Sequence, residues 1–318
     1  MNILIACLLL PAGFYAAIKG ADWLVEGAAS LGRRLGVSEL AIGLTVVAFG
    51  TSAPELAVNI LSSIQGAGAI VLGNIVGSNI MNTALVLGAA GIAAPLTVRA
   101  GLLRKEIPLS IIGGAAILAL SLPEGDGLVL GRLAGVILLA GFILFLGAVR
   151  KAAREADVEG GLDGVRERSV PASWGLTLAG CAVLVLGGKL IVDGAVGLAE
   201  ALGVSQGLIG LTLVAMGTSI PELATSVAAA RKGRSDIAVG NVVGSNIYNI
   251  FLVLGLSSVI KPVTYAAGMR YDIAFYLLLS ALFWALSAWK RKGRLDRAGA
   301  GLLLFAYAAY VAVIIWRG

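Results

Sequence analysis

The sequence GTSAPEL at residues 50–56 returns as GTSIPEL at residues 217–223, a spacing of 167 residues. At the same spacing, GNIVGSNI at residues 73–80 returns as GNVVGSNI at residues 240–247. All four stretches lie within long apolar segments, so each copy of the first motif places a glutamate, hydroxyls and a helix-breaking proline in apolar surroundings. Few structural roles require this combination twice, whereas an ion-binding site built from two related halves does.

The composition is that of a polytopic membrane protein. The chain is 58% hydrophobic and 13% charged, with a mean hydropathy of +0.95, whereas soluble domains carry about 25% charged residues. Apolar runs of membrane-spanning length occupy almost the whole sequence and leave no room for a soluble catalytic domain. The ten predicted spans are 2–31, 39–63, 69–91, 106–122, 127–149, 172–199, 206–230, 236–259, 271–289 and 297–316.

The repeated motifs define the organisation of the chain, because their spacing holds without a gap from about Gly20 to Pro95. It predicts two five-span repeats, residues 1–150 and 172–318, joined by a charged, glycine-containing cytoplasmic linker at 151–171. An odd number of spans makes the second repeat enter the membrane from the opposite side. The expected fold is an all-α polytopic membrane protein of ten transmembrane helices in two inverted repeats, with helices 2 and 7 broken.

The positive charge has a topological cause rather than a nucleic-acid partner. Most of the 24 Lys and Arg residues lie in loops that follow odd-numbered spans. The positive-inside rule places those loops in the cytoplasm and both termini outside. We therefore expect a multi-pass protein of the cell (inner) membrane with a cytoplasmic central linker.

Pro54 predicts a break in the second span, since proline has no N–H and disfavours a helical residue before it. We expect the helix to unwind over residues 50–53 and to leave carbonyls near residues 48–51 unpaired, where a cation can satisfy them. Glu55 then stands in the first turn of a new half-helix, whose positive end favours a carboxylate. The same argument applies to residues 217–222.

A proline-kinked packing helix with its glutamate paired to a lysine is the structural alternative. Lys189 is the only nearby candidate for such a pair, and it lies in the other half of span 6. An ionisable group at the membrane centre costs at least about 2.5–3.5 kcal/mol. Two such groups at equivalent positions therefore favour a functional site.

The second motif adds amide and hydroxyl oxygens. Ser78 and Asn82, like Ser245 and Asn249, are spaced i, i+4 and share one helix face, while the neighbouring asparagines of each motif are expected to point elsewhere. With no histidine in the chain, the ligand set is oxygen only, which suits hard cations such as Ca²⁺. Two glutamates supply a charge that one Ca²⁺ or two Na⁺ would balance.

At these motifs the chain resembles the cation/Ca²⁺ exchanger superfamily, specifically the prokaryotic Na⁺/Ca²⁺ exchangers. The resemblance covers all ten spans and rests on G-T-S-x-P-E and G-N-x-V-G-S-N-I. It implies that spans 2, 3, 7 and 8 surround four cation sites and that spans 1 and 6 slide across them.

The resemblance also implies roles for single residues. The principal Ca²⁺ and Na⁺ carboxylates would be Glu55 and Glu222. The hydroxyl and backbone ligands would be Thr51, Ser52, Thr218 and Ser219, and backbone carbonyl ligands would come from Ala48 and Ala215. Ser78 and Ser245 would bind Na⁺ at the outer sites. Asn82 and Asn249 would face the central site. Asparagine at 249, where K⁺-dependent relatives carry aspartate, favours K⁺ independence.

We therefore expect a secondary active Na⁺/Ca²⁺ antiporter, not an enzyme, which exports Ca²⁺ by alternating access using the inward Na⁺ gradient. Ca²⁺ and Na⁺ would be its transported substrates and the lipid bilayer its surroundings. No cofactor, nucleic acid or obligatory protein partner is indicated. H⁺/Ca²⁺ or H⁺/Na⁺ antiport through the same glutamates and, less favoured, a cation channel remain open as alternatives.

Overall fold

Helices make up most of the chain in the computed structural model, which describes residues 3–155, 168–201, 215–288 and 293–317. The helices are α1 (Ile3–Leu35), α2 (Glu39–Thr51), α3 (Ala53–Gln65), α4 (Gly68–Ala93), α5 (Ala100–Arg104), α6 (Glu106–Leu120), α7 (Arg132–Glu155), α8 (Val170–Ala201), α9 (Ala215–Thr218), α10 (Ile220–Arg231), α11 (Ser235–Ile260), α12 (Met269–Ala288) and α13 (Arg297–Arg317).

Seven of the described helices are each long and apolar enough to cross a membrane: α1, α4, α7, α8, α11, α12 and α13. The bent pair of α2 and α3 makes an eighth candidate. Of the remaining predicted spans, span 4 corresponds to α6, which has 15 residues. Span 7 corresponds to α9 and α10, and its first part lies outside the described residues.

The predicted breaks in helices 2 and 7 are present, but each is narrower than expected. The chain bends by 49° between α2 and α3, and only Ser52 leaves the helical conformation, with φ −84° and ψ 7°. Ser219 separates α9 from α10 in the same way, with φ −93° and ψ 3°. Both values fall near the bridge region, which allows a sharp turn without an extended segment.

The expectation of an unpaired carbonyl at Ala48 is wrong. Its oxygen accepts the backbone N–H of Ser52 at 3.0 Å and the hydroxyl of Thr51 at 3.3 Å. The ladder also resumes at once, since Leu56 donates to the carbonyl of Ser52 at 3.1 Å. Because the break involves a single residue, most of the backbone bonds around it survive.

Within the described helices three stretches widen into π-helix: 43–47 in α2, 82–86 in α4 and 248–254 in α11. Asn82 begins the second of these, and Asn249 lies in the third. Such π segments inside α-helices are frequent at functional sites. In this chain two of them coincide with asparagines that the sequence motifs single out.

The central and peripheral helices differ sharply in burial. In the most apolar stretch of α11, 94% of the residues are buried, and 78% in α4, against 17% in α13. Since α4 and α11 carry the second motif in its two copies, the polar residues of that motif lie at the centre of the described structure.

Helices α1 and α8 pack closely along glycines. A Cβ on Gly20 would lie 2.5 Å from the backbone nitrogen of Leu184, and one on Gly187 would lie 2.5 Å from that of Ala17. Neither position has room for a side chain, so the two backbones touch. We call this contact the glycine seam; its members are Gly13, Gly20 and Gly27 on α1 and Gly180, Gly187 and Gly194 on α8. The contacts run in opposite sequence directions, so the helices are antiparallel.

Five short strands were not predicted, and they correct the all-α description to mostly helical. They are β1 (Leu96–Thr97), β2 (Ser121–Glu124), β3 (Gly127–Leu130), β4 (Val263–Ala266) and β5 (Arg294–Leu295). Strands β2, β3 and β4 form one antiparallel sheet, and β1 pairs with β5.

The hairpin of β2 and β3 also corrects the start of span 5, which was predicted at residue 127. The helix begins at Arg132 instead, because residues 127–130 pair on both sides with β2 and β4. Gly125 adopts φ 56° in the turn, a conformation that glycine takes readily.

Candidate functional site

Glu55 and Glu222 occupy the same position in two half-helices, directly after the proline in the first turn of α3 and of α10. Both side chains are 0% exposed. The first turn of a helix presents unpaired N–H groups and a positive dipole end, which stabilise a carboxylate there. The two motifs therefore place two acidic groups inside the molecule at helix ends suited to hold them.

Each glutamate is contacted by a serine from the opposite motif copy. Ser52 donates to Oε1 of Glu222 at 3.0 Å, and Ser219 donates to Oε1 of Glu55 at 3.4 Å. The two breaks therefore face each other, and the hydroxyl of each break reaches the carboxylate that follows the other. The sequence-predicted glutamates and serines form one site rather than two.

The serines of the second motif complete the contacts of the same oxygens. Ser78 donates to Oε1 of Glu55 at 3.5 Å, and Ser245 donates to Oε1 of Glu222 at 3.4 Å. Ser219 also lies 3.1 Å from the hydroxyl of Ser78. One oxygen of each carboxylate thus has two hydroxyl partners, one from each half of the chain.

Within the described part of the chain the other carboxylate oxygens have no hydrogen-bond partner: Oε2 of Glu55 and Oε2 of Glu222 are both buried and unbonded. Among the described residues no Lys or Arg forms an ion pair with either glutamate. Lys189, the partner in the structural alternative, is exposed and pairs with Asp193 at 2.7 Å. The kinked-packing-helix interpretation is therefore wrong for this lysine.

The two threonines bond to asparagines that sequence reasoning missed. Thr51 donates to Oδ1 of Asn241 at 3.0 Å, and Thr218 donates to Oδ1 of Asn74 at 3.3 Å. The sequence carried a signal for both asparagines, since each stands four residues before the serine of the second motif and so shares its helix face. They orient the threonine hydroxyls beside the carboxylates.

Asn82 and Asn249 are both fully buried but differ in their contacts. Neither Oδ1 nor Nδ2 of Asn82 has a hydrogen-bond partner among the residues that the structure describes. Asn249 donates from Nδ2 to Oδ1 of Asn79 at 3.0 Å, while its own Oδ1 has none. The expectation that Asn79 points elsewhere is therefore wrong, because its side chain contacts a residue of the candidate site.

The two alanines lie beside the breaks. Ala48 precedes Thr51 within α2, and its carbonyl already accepts two protein donors. Ala215 begins α9, three residues before Thr218. The carbonyl oxygen of Ala48 therefore has as many protein partners in this conformation as Oε1 of either glutamate.

The chemistry of the site follows from its atoms. Hydroxyl groups contact Oε1 of each carboxylate, amide oxygens accept from the two threonines, and neither sulfur nor imidazole takes part among the described contacts. Hard cations such as Ca²⁺ prefer oxygen ligands, about 6–8 of them, and a buried carboxylate with no protein cation is costly unless a bound ion neutralises it. The residues present therefore fit a hard-cation site of two carboxylates.

Comparison with known families agrees with this chemistry. The model of the family described as sodium/calcium exchanger protein matches residues 5–150 and 172–316. Both matched segments contain one copy of each motif. Together they cover more than half of the chain.

Individual relatives match along nearly their whole length. The chain is 37% identical over 328 residues to the Escherichia coli inner membrane protein YrbG, covering 99% of this chain and 98% of that one. It is 34% identical over 351 residues to the sodium/calcium exchanger MaX1 of Methanosarcina acetivorans, covering 97% and 98%. A solved structure of the sodium-calcium exchanger NCX_Mj superposes with a TM-score of 0.83 at 32% identity, covering 98% of this chain and 100% of that one.

Proposed function

The chain belongs to the sodium/calcium exchanger protein family and is a multi-pass integral membrane protein; from this membership we propose that it exports Ca²⁺ in exchange for Na⁺ entering down its gradient. Its transported substrates would be Ca²⁺ and Na⁺. The exchange would proceed by alternating access, with one site opening in turn to the two sides of the membrane.

The proposed architecture is ten transmembrane helices in two inverted repeats, residues 1–150 and 172–318, around a linker at 151–171. Reciprocal contacts support it: the Ser52–Glu222 bond has its counterpart 167 residues away in the Ser219–Glu55 bond. The antiparallel glycine seam supports it as well, since equivalent helices of inverted repeats run in opposite directions. The two segments matched by the family model fall on either side of the linker.

The observation that carries the proposal is the pair of buried glutamates with unbonded Oε2 atoms. A membrane-centre carboxylate without a counter-ion is costly, and these two have no described Lys or Arg beside them. We take them as the ligands shared by one Ca²⁺ or by competing Na⁺ ions. Neutralisation in either way would permit occlusion, so the empty carrier would not cross between its two states.

The hydroxyls and amides would complete the coordination. Ser78 and Ser245 would serve flanking Na⁺ sites, since each contacts the glutamate of its own half of the chain. Asn82 would face the central ion with its Oδ1, which has no hydrogen-bond partner among the described residues. Thr51, Ser52, Thr218 and Ser219 would act as hydroxyl or backbone ligands, and Ala48 and Ala215 as carbonyl ligands in a state where the breaks open further.

K⁺ independence is proposed from charge. Asn82 and Asn249 are neutral and stand where an aspartate would add a third negative charge to the two of the glutamates. Without that charge, one Ca²⁺ balances the site and no further cation is required. We therefore expect transport to proceed at the same rate with and without K⁺.

The proposed location is the cell (inner) membrane, with both termini outside and the linker in the cytoplasm. The distribution of Lys and Arg supports this orientation, and the Escherichia coli relative is named an inner membrane protein.

The test is Ca²⁺ uptake by proteoliposomes that contain the purified protein and are loaded with Na⁺. Dilution into Na⁺-free medium with radiolabelled Ca²⁺ should drive uptake above that of liposomes loaded with choline. Addition of K⁺ to both sides should not change the rate. Uptake that follows an imposed pH gradient and ignores Na⁺ would instead establish proton coupling, and flux without any counter-ion would establish a channel.

A further inference from the structure

A small cavity lies between α4, α6, α11 and α12, and Thr83 and Asn246 of its lining adjoin Asn82 and Ser245 in the sequence. Its volume is about 10 Å³, and four of its lining residues are polar: Thr83, Ser110, Asn246 and Ser280. The rest of its wall is apolar, including Leu87 and Phe283. Since the centre of one water molecule needs about 10–15 Å³, the cavity has room for a single water and not for a larger ligand.

Two of the lining side chains have hydrogen-bonding capacity left. Among the described residues Oδ1 of Asn246 has no hydrogen-bond partner, and Oγ of Ser280, which interacts with the Tyr276 hydroxyl, makes no bond of normal geometry; the two residues are only 4% and 3% exposed. Asn246 uses its Nδ2 to donate to the hydroxyl of Thr83 at 2.9 Å, which leaves the Thr83 proton to donate. Ser110 completes the polar wall and is held by the hydroxyl of Tyr276.

The charge of the lining decides which ligand fits. All four polar residues are neutral, so an ion in this cavity would be buried without a counter-charge, which is strongly unfavourable. A water molecule needs about two to four polar partners, and it can donate to Oδ1 of Asn246 while it bonds to the hydroxyl of Ser280. The cavity therefore selects water over Na⁺.

The equivalent place in the other half of the chain is filled. At the spacing of 167 residues, Asn79 is equivalent to Asn246, and Ile250 and Phe251 are equivalent to Thr83 and Ala84. The side chains of Ile250 and Phe251 press against Gly113, where an added Cβ would lie 3.2 and 2.7 Å from them. The side chains of Ile250 and Phe251 therefore fill the place that corresponds, on the other side, to the cavity beside Asn246.

The two asparagines consequently find different partners. Oδ1 of Asn79 receives the amide of Asn249 at 3.0 Å. Oδ1 of Asn246 faces no such donor, and Asn82, the residue equivalent to Asn249, keeps both of its side-chain atoms unbonded. The asymmetry of the cavity thus coincides with an asymmetry in the two asparagines nearest the candidate site.

We propose that this cavity binds one structural water molecule, which bonds to Oδ1 of Asn246 and so leaves the Asn82 side chain free to turn its Oδ1 toward the transported ions. The water takes at Asn246 the place that Asn249 takes at Asn79. Asn246 is accordingly a positioning residue, which acts through Asn82 and touches no ion itself. The second half of this inference rests on the proposed function.

A crystal structure of the full chain at a resolution that shows ordered water tests the site itself. A peak should lie at about 2.7–3.2 Å from Oδ1 of Asn246 and Oγ of Ser280, and it should persist when Na⁺ is replaced by choline. A site without density, or a peak that disappears with Na⁺, would overturn the water assignment. This outcome does not depend on transport.

Ser280→Val tests the consequence, because valine fills the cavity and removes one partner of the water. Oδ1 of Asn246 should then accept a hydrogen bond from Nδ2 of Asn82 and hold that side chain away from the ions. The Na⁺ concentration for half-maximal exchange should rise about fivefold, which corresponds to the free energy of one hydrogen bond. The matched control is Ser287→Val, a buried serine of the same helix α12 that does not line the cavity.

Two further variants separate this role from a general loss of stability. Ser280→Ala, which adds no volume, should shift the Na⁺ dependence in the same direction. In an Asn82→Ala background, Ser280→Val should cause no additional shift, because the group that it recruits is gone. Equal effects of Ser280→Val and Ser287→Val would refute the positioning role. So would an undiminished shift of the Na⁺ dependence by Ser280→Val in the Asn82→Ala protein. Either result would do so even if Na⁺-driven exchange by the parent protein is established.

Discussion

The hydroxyls of Ser52 and Ser219 connect the two halves of the chain at the scale of single residues. Each donates to the carboxylate that follows the other break, at 3.0 and 3.4 Å. In the proposed site a hydroxyl in this place would have two uses, since it would stabilise the negative charge of the carboxylate when the ion is absent and supply an oxygen ligand when the ion is present.

Ser52→Ala should therefore weaken Ca²⁺ transport although it leaves Glu222 intact. We expect the Ca²⁺ concentration for half-maximal exchange to rise about 10–100-fold, the usual effect of removing a partner of a metal-binding carboxylate. Initial rates of Na⁺-driven uptake over a range of Ca²⁺ concentrations measure this change. The control is Ser257→Ala, at a buried serine whose hydroxyl has no hydrogen-bond partner among the described residues. An equal effect of both substitutions would contradict the assignment of Ser52 to the candidate site.

The sequence predicted the acidic residues and hydroxyls of the site because each motif occurs twice in apolar surroundings. It did not predict their pairing, since the crossing of Ser52 to Glu222 depends on how α2 and α10 pack. Asn241 was missed for a related reason: an asparagine on the face of Ser245 can serve either a ligand or a neighbouring side chain, and only the contact with Thr51 decides.

The glycine seam between α1 and α8 is the feature that matters at the scale of helices. Its members recur every seven residues on both helices, and the added Cβ distances show that backbone touches backbone. Small residues permit such close approach inside membranes, where van der Waals packing rather than the hydrophobic effect holds helices together.

Gly20→Ala should destabilise the protein by about 1–3 kcal/mol, the usual cost of overpacking. Gly175→Ala on α8 should instead stabilise the protein, because nothing lies within 4 Å of the added carbon. Alanine is favoured over glycine in a helix by about 0.5–1 kcal/mol. Thermal unfolding in one detergent measures both. A Gly20→Ala protein as stable as the parent would show that the helices of the glycine seam are packed less closely than the Cβ distances indicate.

At this scale the sequence predicted most helices and both breaks, since apolar length and Pro54 are local signals. The β2–β3 hairpin was missed because residues 127–130 are as apolar as the helix that follows, and only pairing with β4 makes them a strand. The π segments carry no local signal.

The whole molecule is organised around two central helices, α4 and α11, with the glutamates of α3 and α10 between the two halves. The proposed inverted repeats would give each access route the same ligands in opposite order, so that one set of side chains could serve both faces of the membrane. The orientation of the whole then decides which route meets the cytoplasm.

The proposed orientation predicts the accessibility of introduced cysteines. In a protein with Cys7 and Cys181 replaced by serine, Glu124→Cys should react with a membrane-impermeant maleimide on intact cells. Lys151→Cys should react only after the membrane is permeabilised. Glu124 and Lys151 are both exposed, so a difference between them reports the side of the membrane. The reverse pattern would invert the orientation.

The central claim, that Glu55 and Glu222 together form one cation site, is tested most directly by Na⁺-gradient-driven uptake of radiolabelled Ca²⁺ into vesicles. Glu55→Gln and Glu222→Gln keep the shape of the side chain and remove its charge, while Glu124→Gln makes the same change at an exposed position. The account predicts that each of the first two reduces uptake to that of empty vesicles and that the third leaves it unchanged. Parental uptake by the Glu55→Gln or the Glu222→Gln protein would contradict it.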